Sequence, residues 1–164
     1  MPIPIDFSKL GPQDVLDLAS FIEHEAEERY LTFAAHLEVH GDTDGSSFFR
    51  RMAALEGGHG AQIEGRRVAR FADLPGRVRD AVEWDVEGPR LDRSRTSLAV
   101  DEAFVMALAS EVRARDFFAA ALEHMTEART AAMLAELHAD EVGHVRMIEE
   151  EMSRRGLRPV SARA

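Results

Sequence analysis

The chain has 164 residues, 45% of them apolar and 30% charged, which suits one globular domain with a real core. It has no cysteine; that excludes disulfides, thiolate metal sites and iron–sulfur clusters, and leaves oxygen and nitrogen as the only metal donors. The net charge of −10 argues against nucleic acid, which is bound through basic contacts to phosphate, and there is no apolar run of the ~18 residues that a membrane span needs. The segment Met1 to Asp6 lacks the basic start and apolar stretch of a signal peptide, so a cytoplasmic location is expected.

Four helices are predicted in chain order within a single domain covering residues 1–164. The first spans about residues 12–40: Pro12 follows Gly11, where a first helical turn tolerates proline, and Gly41-Asp42 stops it. The second spans about 45–71, starting near Asp44 or Ser46. A crossover of about residues 72–96 follows, broken by Pro75-Gly76 and Gly88-Pro89, with a short helix expected around Val78–Trp84. The third helix covers about 97–125, and the fourth about 127–155, with Thr126 as the expected cap and Gly156 as the stop.

Each helix carries an apolar stripe with alternating spacings of three and four, the seam of a bundle helix. The stripes read Leu16, Ala19, Glu23, Ala26, Tyr30, Phe33, Leu37; Phe49, Met52, Glu56, His59, Ile63; Phe104, Ala107, Glu111, Ala114, Phe118, Ala121, Met125; and Leu134, Leu137, Glu141, His144, Ile148. Two short-looped hairpins joined by a long crossover make an all-α, antiparallel four-helix bundle of ferritin-like connectivity.

Six polar residues interrupt these seams. Glu-x-x-His occurs twice, as Glu56 with His59 and as Glu141 with His144, and a lone glutamate, Glu23 or Glu111, precedes each copy by about 30 residues. Burying one unpaired carboxylate costs several kcal/mol, so four on the seams oppose folding unless cations compensate them. Two divalent cations balance four carboxylates. The i,i+3 spacing places each Glu and His on one helix face, about 5–6 Å apart at Cβ. Mixed carboxylate and imidazole donors favour iron or manganese.

On these residues the chain resembles the ferritin-like di-iron carboxylate proteins, in particular the rubrerythrins and, in ligand pattern, the bacterioferritins. The resemblance covers about Pro12 to Gly156. It implies two iron ions, with manganese or zinc able to substitute, held by Glu23, Glu56, His59, Glu111, Glu141 and His144. Glu56 and Glu141 would bridge, Glu23 and Glu111 would be terminal ligands, and each histidine would give one nitrogen to one metal. Tyr30 matches a phenol lying just behind the ligands.

The departures from the family pattern carry expectations of their own. Rubrerythrins have a further glutamate where this chain has Ala114, so the movement of one iron between His and that Glu is not expected. No rubredoxin segment is present, which calls for an external electron donor. Gly57 stands where bacterioferritins have their haem-ligating methionine, so no haem is expected. Only eight residues follow Gly156, too few for the fifth helix of cage ferritins, and a homodimer is expected instead of a 24-subunit shell.

The resemblance implies a redox enzyme, a rubrerythrin-like peroxidase or ferroxidase acting on Fe(II), peroxide or O₂. The alternatives are an iron storage or carrier protein and a helical interaction module with a structural metal site. Asp140 is a candidate to hold the far nitrogen of a ligand imidazole such as His59. Ala26 and Ala114 are candidates to leave space for O₂ or peroxide. The pairs Arg50-Arg51 and Arg66-Arg67 read as solvated faces or dimer contacts.

Overall fold

The computed structural model describes residues 5–72, 74, 76 and 99–157. A 3-10 turn at Phe7–Lys9 precedes four helices: α1 (Pro12–Val39), α2 (Thr43–Phe71), α3 (Val100–His124) and α4 (Ala128–Arg154). The expected short helix around Val78–Trp84 and the Gly88-Pro89 break lie outside the described residues. None of the described helices is long and apolar enough to cross a membrane.

Local chemistry sets the helix ends. Gly11 caps α1, and its N–H donates to Asp14 Oδ2 at 2.9 Å. The hairpin to α2 turns at Gly41, whose φ of +77° is open to glycine without strain. Asp42 accepts from the Gly45 N–H at 2.9 Å, so α2 starts at Thr43, ahead of the Asp44 or Ser46 expected. The third helix starts at Val100 instead of about residue 97, because Glu102 closes back on the Ala99 N–H at 3.2 Å.

The expected Thr126 cap is corrected. Glu127 caps α4, its Oε2 accepting from the Thr130 N–H at 2.8 Å and from Thr130 Oγ1 at 2.6 Å. A carboxylate brings full negative charge to the positive end of the helix, which a threonine hydroxyl does not. Arg67 also departs from the expected solvated face. Its Nε meets Asp17 Oδ1 at 2.5 Å, and its guanidinium donates to the carbonyls of Ala72 and Leu74, tying α1 to the end of α2.

The core consists of two apolar clusters. One holds Leu16, Ala19, Ile63, Phe117, Phe118 and Leu134; the other holds Tyr30, Phe33, Phe49, Met52, Phe104 and Ile148. Along α1 and α4 the chain passes from the first cluster to the second, and along α2 and α3 from the second to the first. Thus α1 opposes α2 and α3 opposes α4, while α2 and α3 run the same way. That is the helix order of the ferritin-like bundle. On every helix the glutamates of the seams fall at the junction between the clusters.

Candidate metal centre

Each helix delivers its polar residues to that junction. Glu23, Glu56, Glu111, Glu141 and His144 are at most 4% exposed; the His59 side chain is 16% exposed. Their donor atoms form two groups, Glu23 with Glu56 and His59, and Glu56 with Glu111, Glu141 and His144. Within each group one ligand atom from every residue lies within 4.8 Å of the others.

Glu56 belongs to both groups and splits its carboxylate between them. Its Oε1 lies 2.9 Å from His144 Nδ1, and its Oε2 lies 3.6 Å from His59 Nδ1. Glu23 Oε2 lies 3.4 Å from His59 Nδ1. Glu111 and Glu141 approach His144 Nδ1 at 3.3 and 3.7 Å. The two imidazoles stack with centroids 5.5 Å apart and planes 18° apart. Glu141 falls in one group only, so the two halves are less symmetric than their motifs.

Among the described residues, most of the donor atoms lack hydrogen-bond partners. Both oxygens of Glu23 and of Glu56, Oε2 of Glu111 and of Glu141, and Nδ1 of both histidines are buried without one. The short nitrogen–oxygen approaches are not aligned as hydrogen bonds, so the attraction across them is electrostatic. Buried polar atoms left unpaired in this number are rare in native proteins, and each costs about 1–3 kcal/mol. A pair of divalent cations fits this donor set in charge, atom type and placement.

The carboxylates also perturb one another. Burial, reinforced by the neighbouring Glu56, pushes the Glu23 carboxyl up to about 8. Burial and Glu111 likewise raise Glu141 well above the usual range. Burial acts on Glu56 in the same direction, but His144 and His59 outweigh it and bring Glu56 down to about 2. Glu23 and Glu56 raise His59 to about 10. His144 is raised too, because Glu111, Glu141 and Glu56 overcome its burial.

The family model for Rubrerythrin matches residues 14–154. This chain belongs to the rubrerythrin family. The Glu and His cluster is compatible with the di-iron site usual for rubrerythrins. No curated protein shows significant sequence similarity to this rubrerythrin-family chain.

Around the cluster, Tyr30 is fully buried, and its hydroxyl donates to Glu111 Oε1. Its ring stacks on Phe49 at 5.7 Å. Asp140 Oδ2 lies 3.5 Å from His59 Nε2, the nitrogen facing away from the cluster. A Cβ at Gly57 would come within 2.7 Å of Glu27 Oε1, the end of a flexible side chain that can move aside. Next to Gly58 and Gly143 there is open space. Sequence reasoning missed Arg29 and Ser110, which bridge α1 and α3 beside the site through a 2.5 Å hydrogen bond. No spacing signals that pair, because the two residues are 81 positions apart.

Proposed function

We propose that this protein is a di-iron oxidoreductase that oxidises Fe(II) and reduces hydrogen peroxide or O₂. The observation that carries this reading is the split carboxylate of Glu56, one oxygen turned to each histidine-centred group of unpartnered donors. Glu23, Glu56 and His59 would hold one ion, and Glu56, Glu111, Glu141 and His144 the other. Bound iron supplies one electron per ion as it passes from Fe(II) to Fe(III).

The protein's own residues do the rest. Four carboxylates would balance the charge of two Fe(II) ions and offset most of that of two Fe(III) ions. Tyr30 fixes one oxygen of Glu111 and leaves the other facing the cluster. Asp140 orients the His59 ring through its outer nitrogen, as carboxylates commonly do for ligand imidazoles. The apolar clusters on either side keep bulk water from the site. Reducing one hydrogen peroxide to two waters consumes two electrons and two protons. The half-exposed Asp140 marks the edge of the site at which protons exchange with solvent. An external donor returns the electrons.

Anaerobic Fe(II) titration followed by stopped-flow mixing with peroxide, and separately with O₂, tests the reading. Two ions per chain and rapid growth of ferric absorption are expected. Binding of fewer than two metals defeats it. A large iron-filled particle on size-exclusion chromatography would point to storage instead.

A further inference from the structure

The cluster has two unlike borders. At His59 it meets the half-exposed carboxylate of Asp140. At Glu111 and Glu141 it meets a narrow crevice between α1 and α3, walled by Phe21, Ile22, Ala26 and Ala114. Arg29 and Ser110 also line this crevice, and their hydrogen bond joins its two walls. The crevice has about 20 Å³ of room. A single water needs about 10–15 Å³ on the same measure, so one small molecule fits and a hydrated metal cation does not. Glu25 lines it as well, so it is the small bore, and not a lack of oxygen ligands, that excludes a hydrated cation.

We propose that this crevice is the route by which a small uncharged oxidant, O₂ or hydrogen peroxide, reaches the Glu111–Glu141 edge of the site. Ala26 and Ala114 set its bore. Each follows a cluster glutamate, Glu23 or Glu111, by three residues, so each places its methyl one helical turn from the donors. The Arg29–Ser110 bridge holds the two walls at their spacing. Metal ions are left to enter by the acidic border at Asp140. The inference rests on the proposed di-iron chemistry for its purpose, but the crevice can be tested without iron.

Dissolved O₂ is paramagnetic and speeds the relaxation of methyl protons that it visits. In the metal-free and zinc-loaded proteins under O₂, the methyls of Ala26 and Ala114 should relax faster than those of Ala107 and Ala121. The latter two are more deeply buried seam alanines away from the crevice, so the variants that follow are what separate the crevice from burial alone. Ala114→Leu should remove the effect at Ala26. Ala26→Val narrows the opposite wall, and should remove it at Ala114 if the leucine variant does not fold.

In iron-loaded protein either variant should bind Fe(II) as the wild type does, yet oxidise it about tenfold or more slowly, since each adds more bulk than the single methylene that costs this much in an apolar pocket. Slowing with only one of the two oxidants supports the route and identifies the molecule that uses it. Equal O₂ relaxation at all four alanines, or wild-type oxidation rates with both oxidants in a folded variant, overturns it. If the methyl pattern appears but no iron is oxidised, the crevice stands and the proposed function falls.

Discussion

Tyr30 on α1 donates its phenolic hydrogen to Glu111 Oε1 on α3, linking the two halves of the bundle at the candidate metal centre. The bond uses one oxygen of Glu111 and leaves Oε2 facing His144 Nδ1 at 3.3 Å. It thereby makes Glu111 a one-oxygen donor with a fixed direction. Tyr30→Phe keeps the ring stacked on Phe49 but strands a buried carboxylate oxygen. It should destabilise the metal-free protein by about 1.5–3 kcal/mol, the range for hydrogen bonds to charged groups. It should also weaken the ion at His144 by about 10–100-fold, as loss of a ligand's supporting partner typically does. Denaturant unfolding and competitive Co(II) titration check both effects; unchanged affinity would remove Tyr30 from the metal centre.

Glu56 serves both groups of donors, whereas Glu23 serves one. Glu56→Ala should therefore abolish binding of the two-ion set. Glu23→Ala should leave one ion, held by Glu56, Glu111, Glu141 and His144. Equilibrium dialysis with Mn(II) or Co(II) counts the ions. Equal stoichiometries for the two variants would contradict the sharing of Glu56.

Shifted proton affinities give the metal-free protein a defined pH dependence. Burial lifts Glu23 to about 8, and Glu23 and Glu56 lift His59 to about 10. A group raised in the fold holds its proton more tightly folded than unfolded. Its contribution is complete below its ordinary value, 4.5 for Glu23 and 6.5 for His59, and is lost as pH rises through 8 and 10. Glu56, lowered to about 2, acts in the opposite sense and only in acid, losing its contribution as pH falls from 4.5 through 2.

Metal-free Tm should therefore decline as pH rises above 4.5, through Glu23, and more steeply above 6.5, where His59 adds to it. Metal ions displace the same protons, so the Tm increment from Co(II) should grow over that range. Calorimetry at stepped pH reads both trends, and an increment that shrinks with rising pH would count against the assignment of these ligands.

Asp140 stands 3.5 Å from His59 Nε2 and is half exposed, so solvent screens part of its effect. Asp140→Asn should weaken the ion at His59 by about tenfold, the lower end of what such partners supply. The ion at His144 should be untouched. A loss at both positions would mean that the change disturbs the bundle as a whole.

At the fourth helix, Glu127→Ala removes the carboxylate that caps the first turn. Hydrogen bonds from Thr130 hold Glu127 down to about 2. Its contribution is thus present above the ordinary 4.5 and lost as pH falls through 2. The Tm gap between wild type and variant should be constant near neutrality and close in acid. Thr126→Ala should change little, and a larger loss there would restore the threonine as the cap.

The helices, the order of the bundle and the convergence of Glu23, Glu56, His59, Glu111, Glu141 and His144 were legible in the sequence. A seam repeats every three or four residues, and a charged residue on it has to enter the core. That information is local to each helix. What only the tertiary structure decided is relational. Glu56 divides its two oxygens between His59 and His144, while Glu141 stays with one group.

Tyr30 meets Glu111, and Arg29 meets Ser110, each pair 81 residues apart. Such pairings depend on how far one helix is rotated and shifted against another, which a repeat within a single helix does not encode. The same holds for the crevice between α1 and α3: alanines at 26 and 114 are visible in the chain, but the space they leave exists only once the helices have packed.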